Sequence, residues 1–286
     1  MSLELPTNKK YHVCFTVDFD AFSLWLGPNQ VTSPTVLSRG EYGARVGIGR
    51  ILDLLEKYDI RSTFFVPGHT TDTYPDIIED IHERGHEIGH HGYCHERPND
   101  LQRDEEEEVI DKGIKSIEDV IGEKPVGYRS PGWDPSQNTI ELLLKKDFVY
   151  DSSMMADDFT PYRCRVRDKI SKEKPIEFGK ETDLLEIPVH WSLDDFPHFA
   201  FSEEPSKGSE LSSPSKVFEI WSGDFDYMYD KLEKGVFTLT IHPQIIGRGH
   251  RINMVEKLIE HIKNYREVTF MKMKEVANFW KQNKYV

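Results

Sequence analysis

HVCFTVDFD, residues 12–20, is a run of apolar and β-branched residues that ends in two carboxylates. A short run of this kind is typical of a buried β-strand, which we predict over His12–Val17. Residues two apart on an extended backbone point to the same side, so Asp18 and Asp20 project together beyond the strand. Two carboxylates held this close repel each other unless a cation or a proton lies between them. The segment therefore suggests a buried strand with an acidic site at its end; a solvated turn built on Asp is the alternative.

Further β-rich runs alternate with amphipathic stretches along the rest of the chain. The other predicted strands are Ser62–Val66, Glu87–Gly89, Val126–Arg129, Phe148–Tyr150, Leu184–Pro188, Val236–Ile241 and Val268–Met271. The predicted helices are Gly47–Tyr58, Tyr74–Arg84, Asp104–Ile121, Gln137–Lys145, Ser215–Lys234, Asn253–Tyr265 and Lys274–Gln282. Such alternation indicates an α/β fold with a mainly parallel sheet, and about eight repeats indicate a barrel.

The length of the chain, 286 residues, suits one barrel domain, since such barrels typically use about 250 residues. We therefore predict a single catalytic domain over residues 1–286. Two connections, 154–183 and 198–214, are longer than a minimal barrel needs. Long loops of this kind are usually lids, binding loops or interface elements, although a surface excursion without function is also open.

Composition and charge exclude several classes of partner. The chain has 50 Asp and Glu residues against 36 Lys and Arg residues, and its net charge of −14 repels phosphate backbones and anionic membranes. Its three cysteines are widely spaced and suggest no disulfide framework. No apolar run reaches the roughly 18 residues of a membrane span, and Met1–Lys10 is too polar for a secretory signal. We predict a cytoplasmic protein that binds neither nucleic acid nor membrane.

HEIGHHGYCHE, residues 86–96, holds four of the twelve histidines of the chain. His91 and His95 are four apart, so a single helical turn could aim both at one ion. His86 and His90 share that spacing, but they lie on or beside the predicted strand, where packing or hydrogen bonding is expected. With Asp20, the later pair makes two imidazoles and one carboxylate. Such a set leaves coordination positions open, as a catalytic zinc site requires, and it also suits Fe²⁺, Co²⁺ or Ni²⁺.

Two further segments follow predicted strands and carry polar or aromatic side chains. Arg129 begins the segment Arg129–Trp133, where its guanidinium could pair with an acid near the metal and Trp133 could form a wall. A plain turn would have the same sequence. Trp191 supplies a second aromatic wall after the sixth strand, and the acids Asp194 and Asp195 follow it.

His242 ends the apolar strand Val236–Ile241 and is a candidate general acid, although a lone histidine is often structural. Each of these motifs follows the carboxyl end of a predicted strand. Barrels of this kind keep their active sites on that face, so the shared placement favours one common site.

With these motifs, the chain resembles the polysaccharide deacetylase family over roughly Tyr11–Val276. The resemblance implies Asp18 as general base, His242 as general acid, and Asp20, His91 and His95 as ligands of a divalent metal, with Zn²⁺ first. It also implies Arg129 paired with Asp194 or Asp195 as tuning groups; of these two acids we take Asp194. Pro131, Trp133 and Trp191 are expected to contact the substrate.

Three departures from the family pattern refine the resemblance. Phe19 separates two acids that are usually adjacent, Gly92 stands where Ser or Thr usually follows the first histidine, and Ser130–Trp133 replaces a Pro-Pro-rich form. In these respects the chain is similar to a branch with peptidoglycan-deacetylase-like, cyclic-imide hydrolase and allantoinase-like members. That branch implies a distorted or incomplete barrel of about seven to eight strands, and a homo-oligomer, either dimer or tetramer.

The reaction implied is metal-dependent hydrolysis of a non-peptide amide C–N bond. An N-acetylated amino sugar is the first substrate class, and a small cyclic imide or ureide is the alternative. A metal-dependent sugar isomerase on a similar barrel would commonly need more carboxylate ligands than the motifs supply. A non-catalytic carbohydrate-binding barrel would have been suggested by the loss of Asp18 or His242, and both are present.

Overall fold

A curled, mainly parallel sheet forms the centre of the computed structural model, which describes residues 9–201 and 211–283. Its strands are β1 Tyr11–Asp18, β2 Thr63–Val66, β3 Glu87–His90, β4 Gly127–Tyr128, β5 Tyr150–Asp151, β6 Tyr162–Val166, β7 Lys180–Glu186, β8 Gly235–Ile241 and β9 Val268–Phe270. Their order across the sheet is β6-β7-β5-β4-β3-β2-β1-β8, and β9 pairs with the first residues of β1. All eight residues of β1 are buried, which explains its nearly continuous apolar sequence.

Helices provide the crossovers between the parallel strands. They are α1 Ser23–Leu26, α2 Pro34–Tyr42, α3 Ile48–Lys57, α4 Gly68–Thr73, α5 Pro75–Glu83, α6 Arg103–Ile121, α7 Thr139–Lys145, α8 Asp195–Phe199, α9 Pro214–Lys231, α10 Pro243–Ile246, α11 Gly249–Lys263 and α12 Met273–Gln282. A π-helical turn, Gly43–Gly47, joins α2 to α3, and 3₁₀ turns cover Pro98–Asp100, Pro131–Trp133 and Trp191–Leu193. The predicted alternation of strands and helices is confirmed.

The barrel is incomplete, as the family resemblance implied. Among the described residues, β6 and β8 are the two ends of the sheet and do not pair with each other. A single parallel bridge between Asp194 and Thr240 spans part of the gap next to β8. This bridge brings Asp194, the N-cap residue of α8, and Asp195, its first residue, to the carboxyl end of β8, where His242 lies.

The segment 154–183, predicted to be a long loop, contains regular structure. Strand β6 lies within it and pairs antiparallel with β7, which begins at Lys180. Of the five β6 residues only Cys164 is buried, and the flanking Arg163 pairs with Asp183 at 2.9 Å. An edge strand with one buried residue and charged neighbours lacks the apolar run by which the other strands are recognised.

Two other predictions fall partly on residues outside the described ranges. Within the predicted loop 198–214, residues 202–210 are not described; before them α8 extends to Phe199, and after them α9 begins at Pro214. Most of Met1–Lys10 also lies outside, since description begins at residue 9. Across residues 9–201 and 211–283, no helix combines the length and apolarity needed to cross a bilayer.

Two glycines let α10 approach the helix formed by α2, the π-turn and α3. A Cβ added at Gly47 would lie 2.1 Å from the carbonyl oxygen of Pro243, and one at Gly43 would lie 3.1 Å from the backbone nitrogen of Gln244. Real Cβ contacts are longer than the first distance, so the close approach depends on the missing side chain. The π-turn therefore fixes the position of α10, whose N-cap residue is His242.

Replacing Gly47 by alanine should destabilise the protein by about 1–3 kcal/mol, because the new methyl group meets a backbone carbonyl that cannot rotate away. Gly49 is the matched control, since it is exposed in the same helix and a Cβ there would meet nothing within 4 Å. Gly49→Ala should be neutral or stabilising by up to about 1 kcal/mol. Urea unfolding of both variants measures the difference, and equal stabilities would contradict the packing assigned to Gly47.

Candidate active site

The predicted site residues meet at the carboxyl edge of the sheet. Asp18 and Asp20 end β1 or follow it, His91 follows β3, Arg129 follows β4, and His242 follows β8. These side chains and that of His95 are all buried. The sheet thus brings together residues that are up to 224 positions apart, counted between Asp20 and Gln244.

Asp20, His91 and His95 form a compact set of potential metal ligands. Oδ1 of Asp20 lies 3.6 Å from Nε2 of His91 and 3.9 Å from Nε2 of His95. Across the described chain this buried oxygen has no hydrogen-bond partner. Nδ1 of His91 donates to the carbonyl oxygen of Arg129 at 2.8 Å, because that carbonyl can only accept. The lone pair of His91 Nε2 therefore faces Asp20, as a metal ligand requires.

The protonation of this cluster also fits a cation. Burial lowers the pKa of His91 to about 4 and that of His95 well below its ordinary value, so both imidazoles are neutral ligands at neutral pH. Burial raises the pKa of Asp20 to about 8, so ionising that carboxylate calls for a positive charge beside it. One carboxylate and two neutral imidazoles suit a divalent transition metal.

His91 and His95 converge through a tight turn and not through the helical turn that their spacing suggested. Gly92 has φ 72° and His95 has φ 59°, both in the left-handed region. A Cβ at Gly92 would also lie 3.0 Å from Cγ of Pro131. Glycine at this position thus has a local cause, and Ser or Thr would be strained.

His86 and His90 are held by hydrogen bonds away from the metal cluster. Nδ1 of His86 accepts from the backbone of Ser62 at 3.0 Å, and Nε2 of His90 lies 3.0 Å from the carbonyl oxygen of Ile110. Burial lowers the pKa of His86 to about 4 and that of His90 to about 3. These two histidines are therefore neutral structural residues, as their place beside the strand suggested.

Asp18 is clamped by the fully buried Arg129. Its Oδ1 accepts from Nη1 of Arg129 at 2.7 Å, while the other guanidinium donors bind Oγ1 of Thr16 and both oxygens of Ser152. Burial alone would raise the pKa of Asp18, but the guanidinium of Arg129 brings it below its ordinary value. The predicted pairing of Arg129 with Asp194 or Asp195 is wrong, because Asp18 is the nearer acid.

The partners of His242 are instead the two acids at the start of α8, its N-cap residue Asp194 and its first residue Asp195. Nδ1 of His242 donates to Oδ1 of Asp195 at 2.7 Å, and its backbone nitrogen donates to Oδ2 at 3.0 Å. Oδ1 of Asp194 lies 3.4 Å from the same Nδ1 and caps α8 by accepting from Phe196 at 2.8 Å. Burial alone would lower the pKa of His242, but Asp194 and Asp195 raise it well above its ordinary value. The imidazole is thus held protonated, with Asp195 rather than Asp194 as its direct partner.

Two stacked tryptophans lead from the buried cluster to the surface. The rings of Trp133 and Trp191 lie 4.4 Å apart between centroids at an interplanar angle of 29°. Trp133 is buried, and its ring lies 5.9 Å from the guanidinium carbon of Arg129, whereas Trp191 is 45% exposed. Pro131 begins the same short turn as Trp133 and is buried against Gly92. The three predicted substrate residues therefore include one exposed ring.

Known proteins resemble this chain along most of its length. The sequence pattern of the polysaccharide deacetylase family matches residues 34–150. A peptidoglycan deacetylase of Helicobacter pylori is 40% identical over 287 aligned residues, which cover 96% of this chain and 98% of that protein.

The chain belongs to the polysaccharide deacetylase family.

It is accordingly an enzyme, a hydrolase that acts on amide bonds. The structure of a protein from Mycobacterium smegmatis, named a putative polysaccharide deacetylase, is 33% identical with a TM-score of 0.87, covering 99% of this chain and 94% of that one. The structure of an allantoinase has a TM-score of 0.78 at 22% identity, covering 96% of this chain and 92% of that one. At that identity the likeness concerns the fold alone.

Sequence reasoning missed two residues of this deacetylase-family site. Gln244 donates from Nε2 to Oδ2 of Asp20 at 3.2 Å, and Ser152 holds Arg129 through its carbonyl and hydroxyl oxygens. Neither carries a sequence signal of its own, since a single Gln after a His-Pro pair or a single Ser after a short strand is unremarkable without the fold.

Proposed function

We propose that this protein removes the N-acetyl group from an amino sugar by metal-dependent hydrolysis. The observation that carries the proposal is the 40% identity, over nearly the full length of both chains, to a protein named as a peptidoglycan deacetylase. The cyclic-imide alternative is not favoured, since the allantoinase likeness at 22% identity concerns only the fold.

Asp20, His91 and His95 would hold the metal, with Zn²⁺ the first ion to test. When bound, a divalent ion of this kind supplies Lewis-acid polarisation of a carbonyl and lowers the pKa of water. The unpartnered Oδ1 of Asp20, in the described chain, and the outward hydrogen bond of His91 support this assignment.

Asp18 and His242 supply the two proton transfers. Asp18, kept ionised by Arg129, takes a proton from the water whose oxygen attacks the amide carbon. The C–N bond then breaks, and His242 gives its proton to the leaving nitrogen, so the products are acetate and the free amino sugar. The ion pair with Asp195 keeps His242 protonated before this step.

The exposed ring of Trp191 supports a sugar substrate. Its flat apolar face is backed by Trp133 and is accessible beside the buried polar cluster. Sites for small ligands typically join an apolar wall to a few placed polar groups. A sugar ring packed on Trp191 would bring its acetamide towards Asp18 and His242.

A homo-oligomer and a cytoplasmic location remain predictions of the sequence. Exposed apolar side chains in and near the β6–β7 hairpin, namely Ile170, Ile176 and Phe178, support a contact with another copy.

The substrate class is tested by a panel on Zn²⁺-loaded protein. N-acetylglucosamine oligomers and peptidoglycan fragments should release acetate and gain a free amine, whereas succinimide, hydantoin and allantoin should stay intact. A chelator should abolish the release, and added Zn²⁺ or Co²⁺ should restore it. Turnover of the cyclic compounds alone would favour the alternative, and no turnover of either group by metal-loaded protein would contradict both.

A further inference from the structure

We propose that Gln244 is a positioning residue that determines which oxygen of Asp20 binds the metal. The proposal rests on the metal site of the proposed function. Gln244 lies in α10, two residues after His242, and is only 5% exposed. Its Nε2 donates to Oδ2 of Asp20 at 3.2 Å.

The two oxygens of Asp20 have different surroundings. Oδ2 is engaged by Gln244, with Nε2 of His242 at 3.8 Å. Oδ1 has no hydrogen-bond partner within the described residues and faces the Nε2 atoms of His91 and His95. Partners outside the ligand set commonly orient a metal-binding carboxylate by a hydrogen bond of this kind. Gln244 thus holds Oδ2 away and presents Oδ1 to the imidazoles.

The orientation of the Gln244 amide follows from the chemistry of its partner. As a metal ligand Asp20 would be ionised, and an ionised carboxylate only accepts hydrogen bonds, so Nε2 and not Oε1 would face it. Oε1 is then buried without a partner among the described residues. An unpaired buried acceptor destabilises the folded protein, and methionine would fill similar space without such an acceptor. Glutamine at this position therefore orients the metal-binding carboxylate but lowers the stability of the folded protein.

The backbone around Gln244 is fixed by the packing of α10. Its nitrogen would lie 3.1 Å from a Cβ at Gly43, and a Cβ at Gly247 would lie 2.5 Å from Cα of Gly47. The short helix cannot shift towards the π-turn, so its first residues keep one position relative to β1. The side chains of His242 and Gln244 both approach Oδ2 of Asp20. Their positions depend on the packing of α10 against the π-turn.

The test is the Zn²⁺ dissociation constant of Gln244→Met and Gln244→Asn, measured by competition with a chromogenic chelator. Loss of a hydrogen bond from outside the ligand set should weaken Zn²⁺ binding about 10–100-fold. The metal-free Gln244→Met protein should melt at the wild-type temperature or above, since the variant removes an unpaired carbonyl. A merely structural residue would instead lower stability and leave the affinity unchanged. Gln137→Met, at an exposed position, is the matched control.

Gln244→Asn keeps a buried amide on a side chain that is one methylene shorter. This variant provides the Zn²⁺ affinity measurement if Gln244→Met does not fold. Wild-type Zn²⁺ affinity in either folded variant would overturn the proposal for Gln244. If the wild type binds Zn²⁺ and Asp20→Asn does not, the metal site of the proposed function stands. Wild-type Zn²⁺ affinity in the Gln244 variants then overturns the role of Gln244 alone. If the wild type binds no Zn²⁺, the metal site itself is wrong, and the role of Gln244 is overturned with it.

Discussion

Asp18→Asn is expected to lower kcat/KM for deacetylation by about 10²–10⁴-fold while the protein still binds its metal. The asparagine carbonyl can accept the hydrogen bond from Arg129 that Oδ1 of Asp18 accepts at 2.7 Å. The shape of the clamp is therefore kept, and only the capacity to take a proton is lost. Steady-state acetate release and the metal content of the purified variant measure the two effects separately.

Asp20→Asn is the matched comparison, because it changes the other acid of the same segment. Loss of this charged ligand should reduce Zn²⁺ binding as well as turnover, whereas Asp18→Asn should reduce turnover alone. If Asp18→Asn keeps more than about a tenth of wild-type activity, it lacks the loss expected for a general base. The base assignment would then pass to another group.

His242→Asn should also reduce kcat/KM by about 10²–10⁴-fold, because the leaving nitrogen loses its proton donor. The protonated form of His242 is the active one, so wild-type activity should fall as pH rises through its pKa. Asp194 and Asp195 raise that pKa, which places the alkaline limb of the pH profile above the ordinary range of histidine. The His242→Asn profile should lack this limb.

Asp195→Asn also tests His242 as the proton donor, because it changes the carboxylate that pairs with the imidazole. Neutralising Asp195 removes a charge that favours the imidazolium, so the pKa of His242 should fall and the alkaline limb should move to lower pH. The measurement is kcat/KM against pH for both proteins with one acetylated substrate. An unchanged limb in Asp195→Asn would show that another group donates the proton.

The site residues that lie next to an apolar run or share a regular spacing could be predicted from the sequence. The apolar run that ends at Asp18 and Asp20 indicated a buried strand with its acids at the carboxyl edge, and the structure places β1 there. The spacing of His91 and His95 indicated a shared ligand site, and the Nε2 atoms of both do face Asp20, although through a tight turn and not the helical turn that the spacing suggested. The face that carries the site follows from parallel strands alone.

Features that depend on tertiary contacts were not predictable. Asp194 and Asp195 are adjacent and chemically alike, and only the bridge from Asp194 to Thr240 decides which one reaches His242. Arg129 was assigned a distant acid because the sequence does not show that the curled sheet brings Arg129, which follows β4, within reach of Asp18 on β1, three strands away in the sheet order. The edge strand β6 was missed because its pairing with β7, and not its own apolarity, makes it a strand.

The position of β1 in the sheet has a consequence for synthesis of the protein on the ribosome. Thr16 of β1 pairs with Thr240 of β8, 224 residues later. At about 5–20 residues per second, the wait for that partner is roughly 10–45 s. During this time a largely apolar strand lacks the neighbour that will cover one of its edges, and such an edge is the kind of surface that aggregates or recruits chaperones. Since His242 and Gln244 follow β8, a nascent chain that ends before them lacks part of the active site, and the enzyme becomes active only after this segment has been synthesised.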